Sequence, residues 1–152
     1  VLNLIGDFEV SMDAKCRISF PAGLRKQLPE GEDEYFVVNR SFEQNCINLY
    51  TKGEWDKIVN KLSSLNAFNP KIEKMKRLLL AGSAKLELDS AGRLLIPKGL
   101  VELAGLKKDV VIQAQINKIE IWDKQNYEAY IQAHSLDLAE LANEIFGNNL
   151  EF

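Results

Sequence analysis

Apolar and polar positions follow one another along this chain in a succession that runs twice. Residues 7–12 alternate as a strand does, and 17–20 form a second strand. A short helix follows at 21–28. Pro21 opens it at a position where the missing N–H is harmless, and Pro29 stops it. Tyr35-Phe36-Val37-Val38-Asn39 is a β-branched and aromatic strand. Cys46-Ile47-Asn48-Leu49-Tyr50 alternates and should pair with it. In the second half the strands fall at 86–88, 93–96, 109–114 and 118–122, and the short helix at 97–104, with Gly105 past its end.

Two helices separate the halves. The first, 51–65, sets Trp55, Ile58, Val59 and Leu62 on one face, the spacing of a buried stripe. Pro70 opens the next, where Met75, Leu78, Leu79 and Leu80 make a broad apolar side with the basic residues opposite. After the second half, 124–133 and 136–146 are helical in pattern. The last helix carries Leu138, Leu141, Ala142 and Ile145 on one face and ends at Gly147-Asn148-Asn149, where fraying is expected. It is the least anchored element: it either packs on a neighbouring subunit or moves.

The halves are repeats in the strict sense. At an offset of 76 residues Asp13 falls on Asp89, Arg17 on Arg93, Pro21 on Pro97, Gly6 on Gly82, Gly23 on Gly99 and Leu24 on Leu100. Two copies make a pair of similar units rather than a solenoid, which needs at least three. The chain divides into a first unit at 5–51, connecting helices at 52–81, a second unit at 82–127 and a helical tail at 128–152. Units this small are near the lower limit for an independent core. They are therefore expected to share one.

Each repeat is centred on a short turn, Asp13-Ala14-Lys15-Cys16-Arg17 and Asp89-Ser90-Ala91-Gly92-Arg93. A hairpin with a left-handed residue before the returning strand fits this spacing. Gly92 suits that position. Cys16 does not, and would cost about 1–2 kcal/mol there, so the first turn is either shaped differently or strained. Asp and Arg at the two ends of each turn can pair across it.

Composition narrows the functional classes. Of the 152 residues 46% are hydrophobic and 27% charged, as in a soluble globular protein. No apolar run approaches the ~20 residues of a membrane span, and no secretory leader is recognisable at 1–10. Cys16 and Cys46 give neither a metal-ligand spacing nor a disulfide framework, and the expected setting is the cytoplasm. The net charge of −3 argues at first against nucleic acid. Its distribution points the other way: Lys15, Arg17, Arg25 and Lys26 lie together without an acid, while acids gather at 30–34 and in the tail.

Catalytic chemistry is not legible. The one histidine, His134, lies in the acidic tail; no glycine-rich phosphate loop and no zinc or calcium pattern is present. No enzyme activity, cofactor, metal, membrane or small-molecule substrate is expected. Binding is better supported. A turn that presents Lys15 and Arg17 at its tip, backed by Arg25 and Lys26 on the next helix, can meet phosphates and base edges, and arginine is the favoured partner of guanine.

At this point a family likeness enters. The order G-x6-D-A-K-x-R-x-x-x-P, then Arg77 to Gly82 (R-L-L-L-A-G), then D-x-x-G-R-L-L-I-P, then I-E-I-W-D resembles the MraZ family over most of the chain. The resemblance implies an α+β, AbrB-like fold: two tandem repeats forming one pseudo-twofold β-barrel flanked by helices. It implies ring-shaped homo-oligomers, with an octamer as one candidate size. It also implies a transcriptional regulator, an autoregulatory repressor, that binds G-rich direct repeats in double-stranded DNA ahead of the division and cell-wall gene cluster. The DNA-reading positions of the family correspond to Lys15 and Arg17. Asp13, Asp89, Gly92 and Arg93 would then be structural. Cys16 stands where the family usually has glycine, and Ile5 where many members have a basic residue. Two other classes stay open: a ring-forming protein-interaction scaffold, and an RNA-binding module, for which Phe20 and Tyr35 are the nearest stacking candidates.

Overall fold

The structure is a computed structural model and describes residues 2–147. Asn148 and Asn149 of the expected frayed end lie outside them. Eight strands and six α-helices follow in order: β1 (Leu4–Ser11), β2 (Arg17–Ser19), α1 (Ala22–Arg25), β3 (Phe36–Arg40), β4 (Ile47–Thr51), α2 (Lys52–Ser63), α3 (Pro70–Leu80), β5 (Ala84–Leu86), β6 (Arg93–Leu95), α4 (Lys98–Ala104), β7 (Asp109–Ile116), β8 (Lys118–Asp123), α5 (Lys124–His134) and, after a one-turn 3₁₀ segment (Ser135–Asp137), α6 (Leu138–Phe146).

The strands form an antiparallel six-stranded sheet, ordered β1-β7-β8-β4-β3-β5, and a two-stranded ribbon, β2-β6. Both registers carry a pseudo-twofold. In the ribbon Ile18 lies opposite Leu94, which is its own repeat partner. In the sheet Asn48 lies opposite Glu120, the corresponding pair at the centre of β4 and β8. Isolated bonds join ribbon to sheet: a bridge between Met12 and Ile18, and the Asp13 and Asp89 amides donating to the Arg17 and Arg93 carbonyls. The expected barrel therefore takes the form of sheet and ribbon around one core, without a continuous closing ladder.

That core is shared. Leu4, Ile18, Leu24, Phe36, Leu49, Leu94, Leu100, Ile112 and Ile121 come from both repeats and lie in a single buried cluster. The expectation of simple hairpins is corrected here. Residues 10–12 do not zip onto 17–20 beyond the one bridge. β1 instead pairs along its whole length with β7, and β2 pairs with β6 of the other repeat. In the crossed ribbon Ile18 and Leu94 face each other, each with 0% exposure. One of the repeated glycines also finds a steric reason. At Gly6 (φ 132°) the Phe8 ring lies 2.7 Å from where a Cβ would stand.

The helices follow the repeat as well. Thr51 caps α2 through the Glu54 amide and Asp123 caps α5 through the Asn126 amide. The ring pairs Tyr50–Trp55 (6.0 Å) and Trp122–Tyr127 (5.7 Å) seat the two helices on the sheet. Three expectations change. The helix at 21–28 shortens to Ala22–Arg25, with single-turn bonds beyond it from Gln27 to Leu24 and Leu28 to Arg25. The α2 stripe is half-buried rather than buried, and Val59 is exposed. On α3 only Leu79 is buried, and Lys71 and Lys74 share the face of Met75 and Leu78 instead of opposing it.

Candidate nucleic-acid interface

The two turns are built alike, bond for bond. In the first, one Asp13 oxygen (Oδ1) accepts from the Lys15 and Arg17 amides, each at 2.9 Å, and the other (Oδ2) from Arg17 Nε at 2.7 Å. In the second, Asp89 Oδ1 accepts from the Ala91 and Arg93 amides, and Oδ2 from Arg93 Nε, all at 2.9 Å. The Cys16 and Gly92 amides return to the carbonyls of Asp13 and Asp89. A short aspartate that gathers the amides ahead of it is what fixes such a turn.

Electrostatics follow from this cage. The Arg17 amide above all, helped by the guanidinium and the Lys15 amide, holds the Asp13 carboxyl below its ordinary value. The Arg93 amide leads the same effect on Asp89. Both pairs are exposed enough for solvent to screen them, so their role is orientation rather than stability.

Cys16 takes φ 64° and Gly92 φ 75°. The first turn is therefore not reshaped by its cysteine; it adopts the same left-handed form and carries about 1–2 kcal/mol of strain. Its tip differs in charge, not in shape. Lys15 is exposed, and among the described residues its ammonium has no ion-pair partner. Arg17 commits Nε to Asp13 and leaves its two Nη groups without a partner among the same residues. Ala91 occupies the place of Lys15 in the second turn.

The crossed strands set what stands beside each tip. The Ile96 amide donates to the Cys16 carbonyl and the Phe20 amide to the Gly92 carbonyl, at 2.9 Å each. Each turn therefore abuts the other repeat's helix. A cleft at the first tip is lined by Lys15, Cys16, Leu86, Leu95, Pro97 and Lys98. Lys98, at the start of α4, is a cation that sequence reasoning missed, since nothing in one repeat signals which helix of the other will abut it. Arg25 reaches instead towards the second turn, with Nη1 3.8 Å from where a Cβ on Gly92 would stand. Asp33 of the acidic loop engages it at 3.0 Å. Lys26, at the end of α1, is exposed. Lys15 and Arg17 thus share one tip, which the structure does not gather with Arg25. Phe20 is 6% exposed and stacked on Phe36, and the half-buried Tyr35 ring lies under Lys85. Neither offers a free platform for bases.

Comparison with known proteins decides the family. The family model described as "MraZ protein, putative antitoxin-like" matches the chain twice, at residues 4–78 and 79–149. The chain belongs to the MraZ family. It is 42% identical over 149 residues to the transcriptional regulator MraZ of Christiangramia forsetii, covering 98% of this chain and 96% of that one. To the transcriptional regulator MraZ of Flavobacterium psychrophilum it is also 42% identical, covering 95% and 92%. With the MraZ of Acetivibrio thermocellus it shares 34%, covering 92% and 94%. The solution structure of PHS018 from Pyrococcus horikoshii aligns at a TM-score of 0.34 and 16% identity, over 79% of this chain and 89% of that one, a likeness too loose to build on. The relatives' shared name supports a role for this chain in transcriptional regulation.

Proposed function

We propose that this protein is a sequence-specific DNA-binding regulator that reads double-stranded DNA with the first of its two turns. The observation that carries the proposal is the contrast between turns of one geometry. Only the first has a lysine at its tip, beside Arg17, which Asp13 aligns, as Asp89 aligns Arg93, with both Nη groups uncommitted among the described residues. An arginine held by a carboxylate is pre-oriented for a bidentate contact, the commonest way of reading guanine in the major groove. Lys15 and Lys98 supply phosphate contacts beside it. Arg25 and Lys26 contribute further phosphate contacts from the flank, Arg25 less because Asp33 shares it.

One tip binds weakly, and a net charge of −3 opposes even that. A ring of identical chains overcomes both limits by presenting several tips to successive G-rich direct repeats, so that each contact after the first is intramolecular. The natural target is the operator of the division and cell-wall gene cluster, bound in the cytoplasm at the nucleoid as an autoregulatory repressor. Arg17→Ala should cost about 1–3 kcal/mol of operator affinity, measured by fluorescence anisotropy with a repeat-bearing duplex. Unchanged affinity would remove the first tip from the reading surface.

A further inference from the structure

The pseudo-twofold that relates the repeats breaks at α3 and α6, and the break leaves two surfaces that fit each other. α3 follows α2 in the first half and lies against β3, burying Leu79. α6 follows α5 in the second half and does not do the same. Along α6 every described residue is exposed except Ala142, which is half-buried. Its stripe of Leu138, Leu141 and Ile145 is 72%, 50% and 73% exposed. These three residues recur at the spacing of one helix face. The helix has no basic residue and carries Glu140 and Glu144.

The other surface is a groove of about 480 Å³ between α3 and the β3–β4 loop. Its floor is apolar, from Phe42, Met75 and Leu78. Its basic residues are Arg40, Lys71 and Lys74. Phe42 is 76% exposed and Leu78 55% exposed. An apolar floor among cations calls for an amphipathic, acidic helix, laid in by residues at i, i+3 and i+7.

We propose that α6 of one copy of this chain seats in the α3/β3–β4 groove of a second copy. The apolar stripe meets the apolar floor, and Glu140 and Glu144 face Lys71, Lys74 and Arg40. The contact is head-to-tail, since helix and groove are different surfaces of the same chain. Repetition of such a contact closes into a ring or runs on as a filament. The inference rests on the ring reading above and names the surfaces that would make the ring.

The test is the mass of the full chain by sedimentation velocity, without DNA. The unaltered protein should sediment as an assembly. Leu141→Glu, at a side chain half of which is exposed, should reduce it to monomer. So should the charge reversals Glu140→Lys with Glu144→Lys, and Lys71→Glu with Lys74→Glu, each made alone. Mixing the two reversed proteins should restore the assembly, because each helix then finds a groove of opposite charge on the other chain. The proposal is overturned if the unaltered protein is a monomer or if the variants keep its mass. Failure of the mixture to reassemble overturns it too, as it would if α6 folded back on its own groove. Because no DNA is present, failure here leaves the reading tip standing. Lost operator binding with intact mass would do the reverse.

Discussion

Cys16 is the residue at which the cost of the first turn is most open to measurement. It holds a left-handed backbone that glycine adopts freely, and Gly92 holds the same form in the second turn. Cys16→Gly should relieve that strain and gain back less than the full amount, since glycine also loosens the unfolded chain. A net stabilisation of about 0.5–1 kcal/mol is expected from the denaturation midpoint; a loss of stability would show that the thiol packs usefully. Asp13 gives a second prediction, on pH. Its pKa is lowered in the folded protein, so its contribution is complete above the unfolded value of about 3.9 and is lost as pH falls through the lower folded value. Hydrogen-exchange protection of the Lys15 and Arg17 amides should therefore hold through the ordinary range of carboxylate titration and be lost only in more acid solution. Amides unprotected at neutral pH would contradict the cage.

At the scale of elements, the ribbon of β2 and β6 is the feature that locks the repeats together. Ile18 and Leu94 face each other at its centre with no exposure. Truncating either to alanine should cost about 2–5 kcal/mol in global stability, measured by chemical denaturation. A loss under about 1 kcal/mol would mean that the ribbon is peripheral. Much of this layer was legible beforehand. The order of elements, the shared core, the left-handed turn position and the Asp–Arg pairs all follow from the repeat and from period-two and helical patterns. The exchange of strands between repeats was not legible. A three-residue strand such as Arg17–Ser19 carries the same pattern whether it pairs with its neighbour or with its symmetry mate. Lys98 was hidden for the same reason, because its nearness to Lys15 depends on that exchange. The β7–β8 turn was unreadable in another way: Ile116 takes φ 65°, a conformation its side chain does not advertise. If Lys98 meets phosphate, Lys98→Ala should weaken operator and scrambled duplex alike and lower the salt slope by about 1. An effect confined to the operator would make it a base reader instead.

At the scale of the whole molecule, the net charge and the charge at the first tip have opposite signs. The 22 acidic residues outnumber the 19 lysines and arginines, yet Lys15 and Lys98 line one cleft at the first tip, and the Asp13 carboxylate there is already engaged by Arg17. On the proposal made above, affinity for DNA comes from a local arrangement repeated by assembly, since net charge works against it. The measurement that tests this most directly is a titration of a duplex carrying G-rich direct repeats, and of a scrambled duplex, with the unaltered protein and with Arg17→Ala, each at two salt concentrations. The account predicts binding that prefers the repeats, weakens steeply with salt and loses its preference in the variant. Equal affinity for the two duplexes, from a protein that still assembles, would contradict it and leave a scaffold that binds other proteins.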